Sequence, residues 1–315
     1  MAFLPLCIIV IIAVTSATVN SCPPSDRAAL LAFKAALTGP YSGIFDSWTG
    51  TDCCVNWYGV VCDPTTHRVA DINLRGDSDD QPILQKASGG RSGCLTGSIS
   101  PEICRLDRLT NLVVSGWKGI SGEIPSCITS LSSLRVLDLI GNQLSGEIPK
   151  DIGKMQQLTV LNLADNAISG EIPASIVYLA GLKHLDLSNN QISGEIPADF
   201  GKLRMLSRAL LSRQIPPSLL SNPGMGILNL SRNGFEGTIP DVFGSKSYFM
   251  VLDLSHNNLN GPIPNSLSST KFVGHLDLSN NHLCGSIPIG APFDQFEAPS
   301  FSNNDCLCGN PLKTC

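Results

Sequence analysis

The stretch from Leu134 to Pro149 reads LRVLDLIGNQLSGEIP, and the same frame returns along most of the chain. Its Ile-Pro ending is the easiest part to follow. The proline stands at Pro125, Pro149, Pro173, Pro197, Pro216, Pro240, Pro264 and Pro288, with spacings of 24, 24, 24, 19, 24, 24 and 24 residues. A period this regular predicts a solenoid, in which each unit packs only on its neighbours.

Each unit contains a Leu-x-Leu triplet, such as Leu161 with Leu163 or Leu185 with Leu187. Side chains alternate along a strand, so this triplet predicts a short strand that buries both leucines and exposes the residue between them. Stacked units place these strands in one parallel sheet. We therefore expect an α/β repeat fold, a right-handed leucine-rich-repeat solenoid with a parallel concave sheet and disulfide-bonded caps.

Asparagine, glycine and proline follow each predicted strand at fixed positions. The asparagines are Asn142, Asn166, Asn190, Asn233, Asn257 and Asn281. Their amides are expected to donate to backbone carbonyls and to form a ladder. The glycines that permit the next bend are Gly146, Gly170, Gly194, Gly237, Gly261 and Gly285. The proline of each unit prevents a long helix on the convex side.

By this frame the chain holds about nine repeats over residues 67–288. The first carries a polar, glycine-rich insertion from Gly76 to Gly93, which we expect to be a loop. The sixth is truncated near 212–216, where the Asn-x-Leu-x-Gly stretch is absent. Either the solenoid tolerates a distorted turn there, or sequence has been skipped in the gene model.

The first 21 residues carry no charged side chain and include an apolar run from Leu4 to Val14. This pattern predicts a secretory signal peptide over residues 1–21. The alternative is a membrane anchor, which needs roughly 20 apolar residues. We expect a secreted protein of the extracellular space or cell wall, with no membrane span.

Cys7 lies inside the predicted signal, so eleven of the twelve cysteines remain after its removal. Most lie at the two ends, where a solenoid exposes apolar faces that need covering. The clusters lack the paired spacing of a zinc site. Cys104 and Cys127 lie one repeat apart on the convex side, which predicts that they pair and leave Cys94 free.

Charge and motifs exclude several classes of function. The formal net charge is -5, which argues against a nucleic acid partner. The sequence has no phosphate-binding loop of the G-x-x-x-x-G-K-[ST] type and no motif for a cofactor, a metal or a catalytic nucleophile. We therefore expect a protein that is not an enzyme.

The two ends resemble those of plant leucine-rich-repeat proteins, namely the polygalacturonase-inhibiting proteins and receptor-like kinases. The first match spans residues 22–66 and includes Trp48, Cys53-Cys54, Trp57 and Cys62; the second, within residues 289–315, includes the run from Cys306 to Leu312 and Cys315. The resemblance implies two disulfide-bonded caps. The implied pairs are Cys22 with Cys53, Cys54 with Cys62, Cys284 with Cys306, and Cys308 with Cys315.

Other stretches resemble a family of secreted plant proteins catalogued as DNA-damage-repair/toleration proteins. They are residues 117–120, 125–130, 241–246 and 271–275. The family's name implies a role in DNA metabolism, which is the alternative function. The acidic composition and the predicted export signal do not support it directly.

Candidate binding residues are those that face solvent on the concave sheet. One column stands between the paired leucines: Asp138, Asn162, Asp186, Asn229, Asp253 and Asp277. This column could bind a basic partner, or Leu-Asp-Leu could recur only because it belongs to the repeat consensus. Flanking candidates that vary within the frame are Arg135, Lys183, His184, Arg232, His256 and His275.

Two further expectations concern this face. His184 and His275 share a column four strands apart, so at about 4.8 Å per strand they lie roughly 19 Å apart and cannot ligate one metal. Asn229-Leu230-Ser231 is an N-glycosylation sequon on the concave strand surface. The sequence thus predicts a recognition module whose concave face binds a wall-degrading enzyme, a receptor ectodomain or a cell-wall polysaccharide.

Overall fold

The structure is a computed structural model that describes residues 21–39, 43–76, 95–192, 215 and 217–315. The expected signal segment, most of the glycine-rich insertion, Cys94 and most of the shortened sixth repeat lie outside these residues. Within them, no helix combines the length and apolar character needed to cross a membrane.

Most of the regular structure consists of short strands, which form one long sheet and three smaller ones. One helix in the N-terminal cap precedes them. The helix is α1 (Pro24–Ala35). In chain order the strands are β1 (Leu37–Thr38), β2 (Val60–Cys62), β3 (Val69–Arg75), β4 (Thr96–Ser98), β5 (Asn111–Ser115), β6 (Gly119–Glu123), β7 (Val136–Asp138), β8 (Gln143–Ser145), β9 (Val160–Asn162), β10 (Ser169–Gly170), β11 (His184–Asp186), β12 (Gln191–Ile192), β13 (Ile227–Asn229), β14 (Glu236–Thr238), β15 (Tyr248–Asp253), β16 (Asn258–Gly261), β17 (Phe272–Asp277), β18 (His282–Ser286) and β19 (Cys306–Cys308).

The main sheet has nine strands in the order β17-β15-β13-β11-β9-β7-β5-β3-β2. Every neighbouring pair is parallel except β2 with β3, which is antiparallel and closes the sheet at the N-terminal cap. The remaining strands, most of which follow the turn after a main strand, form three smaller sheets. The fold is therefore the leucine-rich-repeat solenoid that the period predicts.

Short 3₁₀ helices return the chain to the next strand. They span Pro101–Arg105, Ser126–Ser130, Ile152–Lys154, Ala174–Tyr178, Asn265–Ser269, Phe293–Gln295 and Ala298–Phe301, and a short α-helix, α2, spans Pro217–Ser221. Several begin directly after the proline of a repeat, as after Pro125, Pro173 and Pro264. The fixed proline and the buried isoleucine before it thus hold the convex side to single helical turns.

The asparagine ladder is present and confirms the sequence prediction. Asn166 Nδ2 donates to the carbonyls of Leu139, Leu163 and Ala164, each at 3.0 Å, and its Oδ1 accepts the backbone N–H of Leu144 at 2.9 Å. Equivalent bonds recur at the other described rungs. They end at Asn304, a rung in the C-terminal cap that the period did not reveal.

One repeat uses tryptophan instead of asparagine. Trp117 is buried, and its indole Nε1 donates to the carbonyl of Leu74 at 3.0 Å. This repeat has one extra residue before Gly119, so the next rung, Asn142, keeps its donations but its buried Oδ1 has no partner in the described chain. The indole N–H of Trp117 therefore takes the place of an asparagine amide in the ladder. The residue type alone does not predict this role.

The main sheet is continuous across the shortened sixth repeat. β11 pairs directly with β13, with His184 beside Ile227 and Leu185 beside Leu228. Ile215 is fully buried and precedes α2, as the isoleucine of other repeats precedes a helical turn. In the described residues the solenoid thus passes from the fifth repeat to the seventh without a strand from the sixth.

Both caps carry disulfide bonds. The bonds join Cys22 to Cys53, Cys54 to Cys62, Cys284 to Cys306 and Cys308 to Cys315, and a fifth joins Cys104 to Cys127 between adjacent 3₁₀ helices. These are the pairs named from the resemblance and from the repeat spacing. Cys94 lies outside the described residues, so its state as a free thiol stays a prediction.

A buried ion pair fastens the N-terminal cap to the first repeat. Asp26 is 1% exposed and accepts from the Arg68 guanidinium at 2.9 Å and from the N–H of Val69 at 3.0 Å. Arg68 also contacts Asp107. Asp26, chiefly through its hydrogen bond, raises the pKa of Arg68 further above its ordinary range.

Candidate recognition surface

The concave face consists of the solvent-facing side chains of the main sheet and of the turn after each strand. The strand registers align these side chains into columns, one residue per repeat. Four columns contain the residues singled out from the sequence. We call them the entry, valine, middle and turn columns, in the order in which each strand runs.

The entry column changes character along the solenoid. It contains Arg135, Thr159, Lys183, Gly226, Met250 and Gly274. Arg135 and Lys183 are exposed and lie two strands apart, about 10 Å by strand spacing. Met250 is 55% exposed. The N-terminal part of this column is therefore basic and the C-terminal part apolar.

The valine column is mostly apolar and half-buried. It contains Val136, Val160, His184, Ile227, Val251 and His275. The expectation that His184 and His275 lie four strands apart is wrong. Because β11 pairs directly with β13, they are three strands apart, about 14 Å. That distance still excludes a shared metal, and His184 Nε2 is buried without a hydrogen-bond partner among the residues that the structure describes.

Side chains of the middle column bind their own turns. Asp253 Oδ1 accepts the N–H of Ser255 at 3.0 Å, and Asn229 Oδ1 accepts that of Ser231 at 3.0 Å. The same bond is made by Asn162, Asp186 and Asp277. Because aspartate and asparagine both supply this oxygen, the turn selects for either. The bond accounts for the recurrent Leu-Asp-Leu and Leu-Asn-Leu without a ligand.

Asp138 departs from the expectation that the residue between the leucines is exposed. It is buried, 8% exposed, and Arg75 from two repeats earlier reaches its carboxylate at 3.4 Å. Its Oδ1 lies 3.4 Å from the N–H of Ile140. The carboxylate is therefore mostly covered and is already paired with Arg75.

The turn column has an unusual backbone. Its members have φ near +55° and include Asp165, Asn189, Arg232, His256, Asn280 and Asn303. Glycine, asparagine and aspartate adopt this left-handed conformation most readily. Histidine is also enriched there among non-glycine residues, whereas arginine adopts it at a cost of about 1 kcal/mol. Arg232 and His256 are adjacent, exposed members of the column. Of the two, Arg232 is the position where the residue type opposes the backbone.

Neighbouring side chains of the turn column also contact one another. Asn189 donates to Asp165 Oδ1 at 2.6 Å, and Asn303 donates to Asn280 Oδ1 at 2.9 Å. His256 Nε2 lies 3.3 Å from Asn280 Nδ2. The backbone N–H of Arg232 donates to the carbonyl of Ser255, but its guanidinium has no hydrogen-bond or ion-pair partner among the described residues and is available to a ligand.

The sequon asparagine, Asn229, lies in the middle column and is half-buried. Its Oδ1 is used by Ser231, which leaves Nδ2 as the group that a glycan would modify. A glycan attached there would cover part of the concave face. Glycosylation at Asn229 and binding of a large ligand would therefore compete.

The described residues contain one cluster that could in principle hold a metal, formed by Cys22, Cys53 and Cys54. Cys22 is bonded to Cys53, and Cys54 is bonded to Cys62. Disulfide sulfurs are not thiolate ligands, so the structure gives this cluster a covalent role instead.

The sequence profiles of leucine-rich-repeat families match much of the chain. The leucine rich repeat N-terminal domain matches residues 23–63. Leucine rich repeat profiles match residues 133–155, 156–213 and 223–283. The matches thus include the N-terminal cap and most of the repeat frame.

Curated relatives are plant proteins. The chain is 55% identical over 143 residues, 45% of its length, to the DNA damage-repair/toleration protein DRT100 of Arabidopsis thaliana, and the match covers 37% of that protein. It is 37% identical over 119 residues, 38% of its length, to a polygalacturonase inhibitor of Vitis vinifera, covering 30% of that protein. The matched region therefore spans about a third of these relatives.

Among solved structures, the chain is similar to one described as PEPR1-AtPEP1, with a TM-score of 0.71 and 27% identity over 91% of this chain and 36% of that one. The profiles, the relatives and the parallel sheet with capped ends agree. The chain belongs to the leucine-rich-repeat family and carries the leucine rich repeat N-terminal domain.

Proposed function

We propose that this protein is an extracellular recognition module that binds a protein ligand on its concave face and catalyses no reaction. The observation that carries the proposal is the division between columns. The middle column is occupied by its own turns, whereas the entry, valine and turn columns present side chains that the scaffold does not require. Arg135, Lys183 and Arg232 are exposed there without an ion-pair partner in the described residues.

The relatives supply the class of ligand. One is named a polygalacturonase inhibitor, and a structural neighbour is a plant receptor kinase ectodomain in complex with Casparian strip integrity factor 2. A rigid concave sheet suits a protein partner because its side chains are fixed before binding. The proposed partners are a wall-degrading enzyme or a receptor ectodomain, with cell-wall polysaccharide as the competing ligand class.

The test is capture of partners from a plant cell-wall extract on the secreted protein. The variant Asp186→Arg/Asp253→Arg places two arginines on the concave face, and Glu123→Arg/Asp151→Arg, at exposed positions outside the main sheet, is the control with the same change in net charge. We expect a partner that binds the native protein and the control but not the concave variant. Equal capture on all three proteins would contradict concave-face recognition.

DNA-damage toleration is a second candidate because of the name of the 55% identical relative. It requires the protein, or an unprocessed form of it, inside the cell. Fractionation of plant tissue with an antibody to the chain separates the two proposals. A wholly secreted pool favours recognition, and a nuclear or plastid pool that grows after DNA damage favours toleration.

A further inference from the structure

Three of the seven large apolar side chains that are exposed in the described residues lie together at the entrance of two neighbouring strands. They are Tyr248, Met250 and Phe272, with exposed fractions of 38%, 55% and 44%. We call this cluster the aromatic ledge. Exposed apolar side chains are ordinary when scattered, but a contiguous group on one face indicates an interaction surface.

Strand length creates the ledge. β15 and β17 have six residues each, and Tyr248 pairs with Phe272 beyond the limits of the three-residue main-sheet strands β7, β9, β11 and β13. Their rings stack with centroids 5.2 Å apart and an interplanar angle of 24°. Phe249 and Val273 point into the core, so Tyr248, Met250 and Phe272 face solvent on the concave side.

Glycine at position 274 makes room for one ring. A Cβ placed there would lie 3.0 Å from Phe272 Cε1 and 2.9 Å from the carbonyl oxygen of Met250. Beside Phe272, an open depression of about 210 Å³ extends to Pro292 and Gln295 of the C-terminal cap. The ledge therefore has a flexible thioether, two ring edges and space for an apolar side chain.

Charged side chains of opposite sign lie at the two ends of the strands that carry the ledge. Lys246 and Lys271 are exposed at the strand entrances, and neither has an ion-pair partner in the described chain. Asp253 and Asp277 lie at the opposite ends of the same strands. An acidic group is thus favoured on the entrance side and opposed on the other.

We propose that the aromatic ledge anchors an apolar side chain of a peptide segment whose neighbouring acidic residue contacts Lys246 and Lys271. A glycan fits less well, because the rings stack on one another and Phe272 lies against Gly274, so one face of each ring is unavailable to a sugar. This inference deepens the proposed function by naming the chemistry of the protein ligand, and it rests on that function.

The test pans a phage-displayed library of random dodecapeptides against the full-length secreted protein. Selected peptides should pair an aromatic or aliphatic residue with a nearby aspartate or glutamate. Phe272→Ala and Met250→Ala should each weaken binding about tenfold, as expected for anchor residues. Tyr178→Ala removes an aromatic side chain, 66% exposed, away from the ledge and should change binding less than twofold.

Charge reversal adds a second readout. On the variant Lys246→Glu/Lys271→Glu, the selected peptides should carry basic instead of acidic neighbours. Thermal unfolding of each variant within a few degrees of native shows that the fold is retained. The inference would be overturned if no peptide is enriched, or if Phe272→Ala and Met250→Ala change peptide binding no more than Tyr178→Ala does. It would also be overturned if the lysine variant selects peptides with the same acidic neighbours.

Binding of soluble oligogalacturonide that is lost in the ledge variants would also overturn it and would identify a glycan site. Failure of this experiment is distinguishable from failure of the proposed function. If Asp186→Arg/Asp253→Arg still abolishes partner capture while the ledge variants do not, the concave face recognises its partner through other columns.

Discussion

The ladder asparagines and the turn column, which are adjacent in the sequence, have opposite roles. The ladder asparagines are buried or half-buried and bind the backbone of two repeats, whereas the turn column immediately before them is largely exposed and holds glycine, aspartate, asparagine, arginine or histidine. Each ladder side chain replaces hydrogen bonds that buried backbone groups would otherwise lose. The turn column has no such duty. The fold therefore requires a particular residue where its side chain must hydrogen-bond buried backbone groups, and closeness to the sheet alone does not impose this requirement.

The largest effect is expected at a central rung. Asn166→Ala removes three donations and one acceptance from buried backbone groups. Unsatisfied buried groups cost about 1–3 kcal/mol each, so the free energy of unfolding should fall by about 3 kcal/mol or more. Denaturant unfolding measures it, and a loss under 1 kcal/mol would contradict the ladder's structural role.

An intermediate effect is expected where tryptophan serves as a rung. Trp117→Phe retains the buried ring but deletes the donor to the Leu74 carbonyl. Stability should fall by about 1–2 kcal/mol, less than at Asn166, because one bond is lost. The same unfolding assay compares them. Equal stability of Trp117→Phe and native protein would show that the indole acts only by packing.

A smaller effect of opposite sign is expected in the turn column. Arg232→Asn places a residue that tolerates φ of 53° where arginine now stands. The free energy of unfolding should rise by about 0.5–1 kcal/mol. The reverse change, Asn189→Arg, is the control and should lower stability by a similar amount. If Arg232→Asn destabilises, the arginine has a structural role.

The smallest effect is expected in the middle column. Asp253→Asn keeps the oxygen that accepts the Ser255 N–H, as Asn229 does in the neighbouring repeat. Stability should change by less than about 0.5 kcal/mol. Asp253→Ala removes the acceptor and should cost about 1 kcal/mol. A large loss in Asp253→Asn would require a role for the charge itself.

The sequence predicted the features that repeat and the disulfide pairs, but it missed two ladder rungs that depart from the repeat frame. The 24-residue period was sufficient for the parallel sheet, the glycine bends and the asparagine ladder, because each unit solves the same packing problem. Trp117 and Asn304 were missed because one is a different residue type and the other lies beyond the last period. Three-dimensional register was needed to recognise both.

The candidate surface was predicted in part. Period alone placed Arg135, Lys183 and Arg232 on the solvent side, but it gave no sign that Asp138 is buried under Arg75. The count of strands between His184 and His275 was wrong, since the period cannot show that β11 pairs with β13. The aromatic ledge was missed because it depends on two strands that begin earlier than their neighbours.

The adjacent residues His256 and Asn257 test the division between fold and recognition most directly. Asn257 Nδ2 donates to the carbonyls of Leu230 and Leu254 at 3.1 and 3.0 Å, whereas His256 has φ of 53° and is exposed. The measurement is denaturant unfolding of Asn257→Ala beside His256→Asn. We expect a loss of about 3 kcal/mol for the first and either no change or a gain of up to about 0.5 kcal/mol for the second. Similar losses for both variants, or no loss for Asn257→Ala, would contradict the division between fold and recognition.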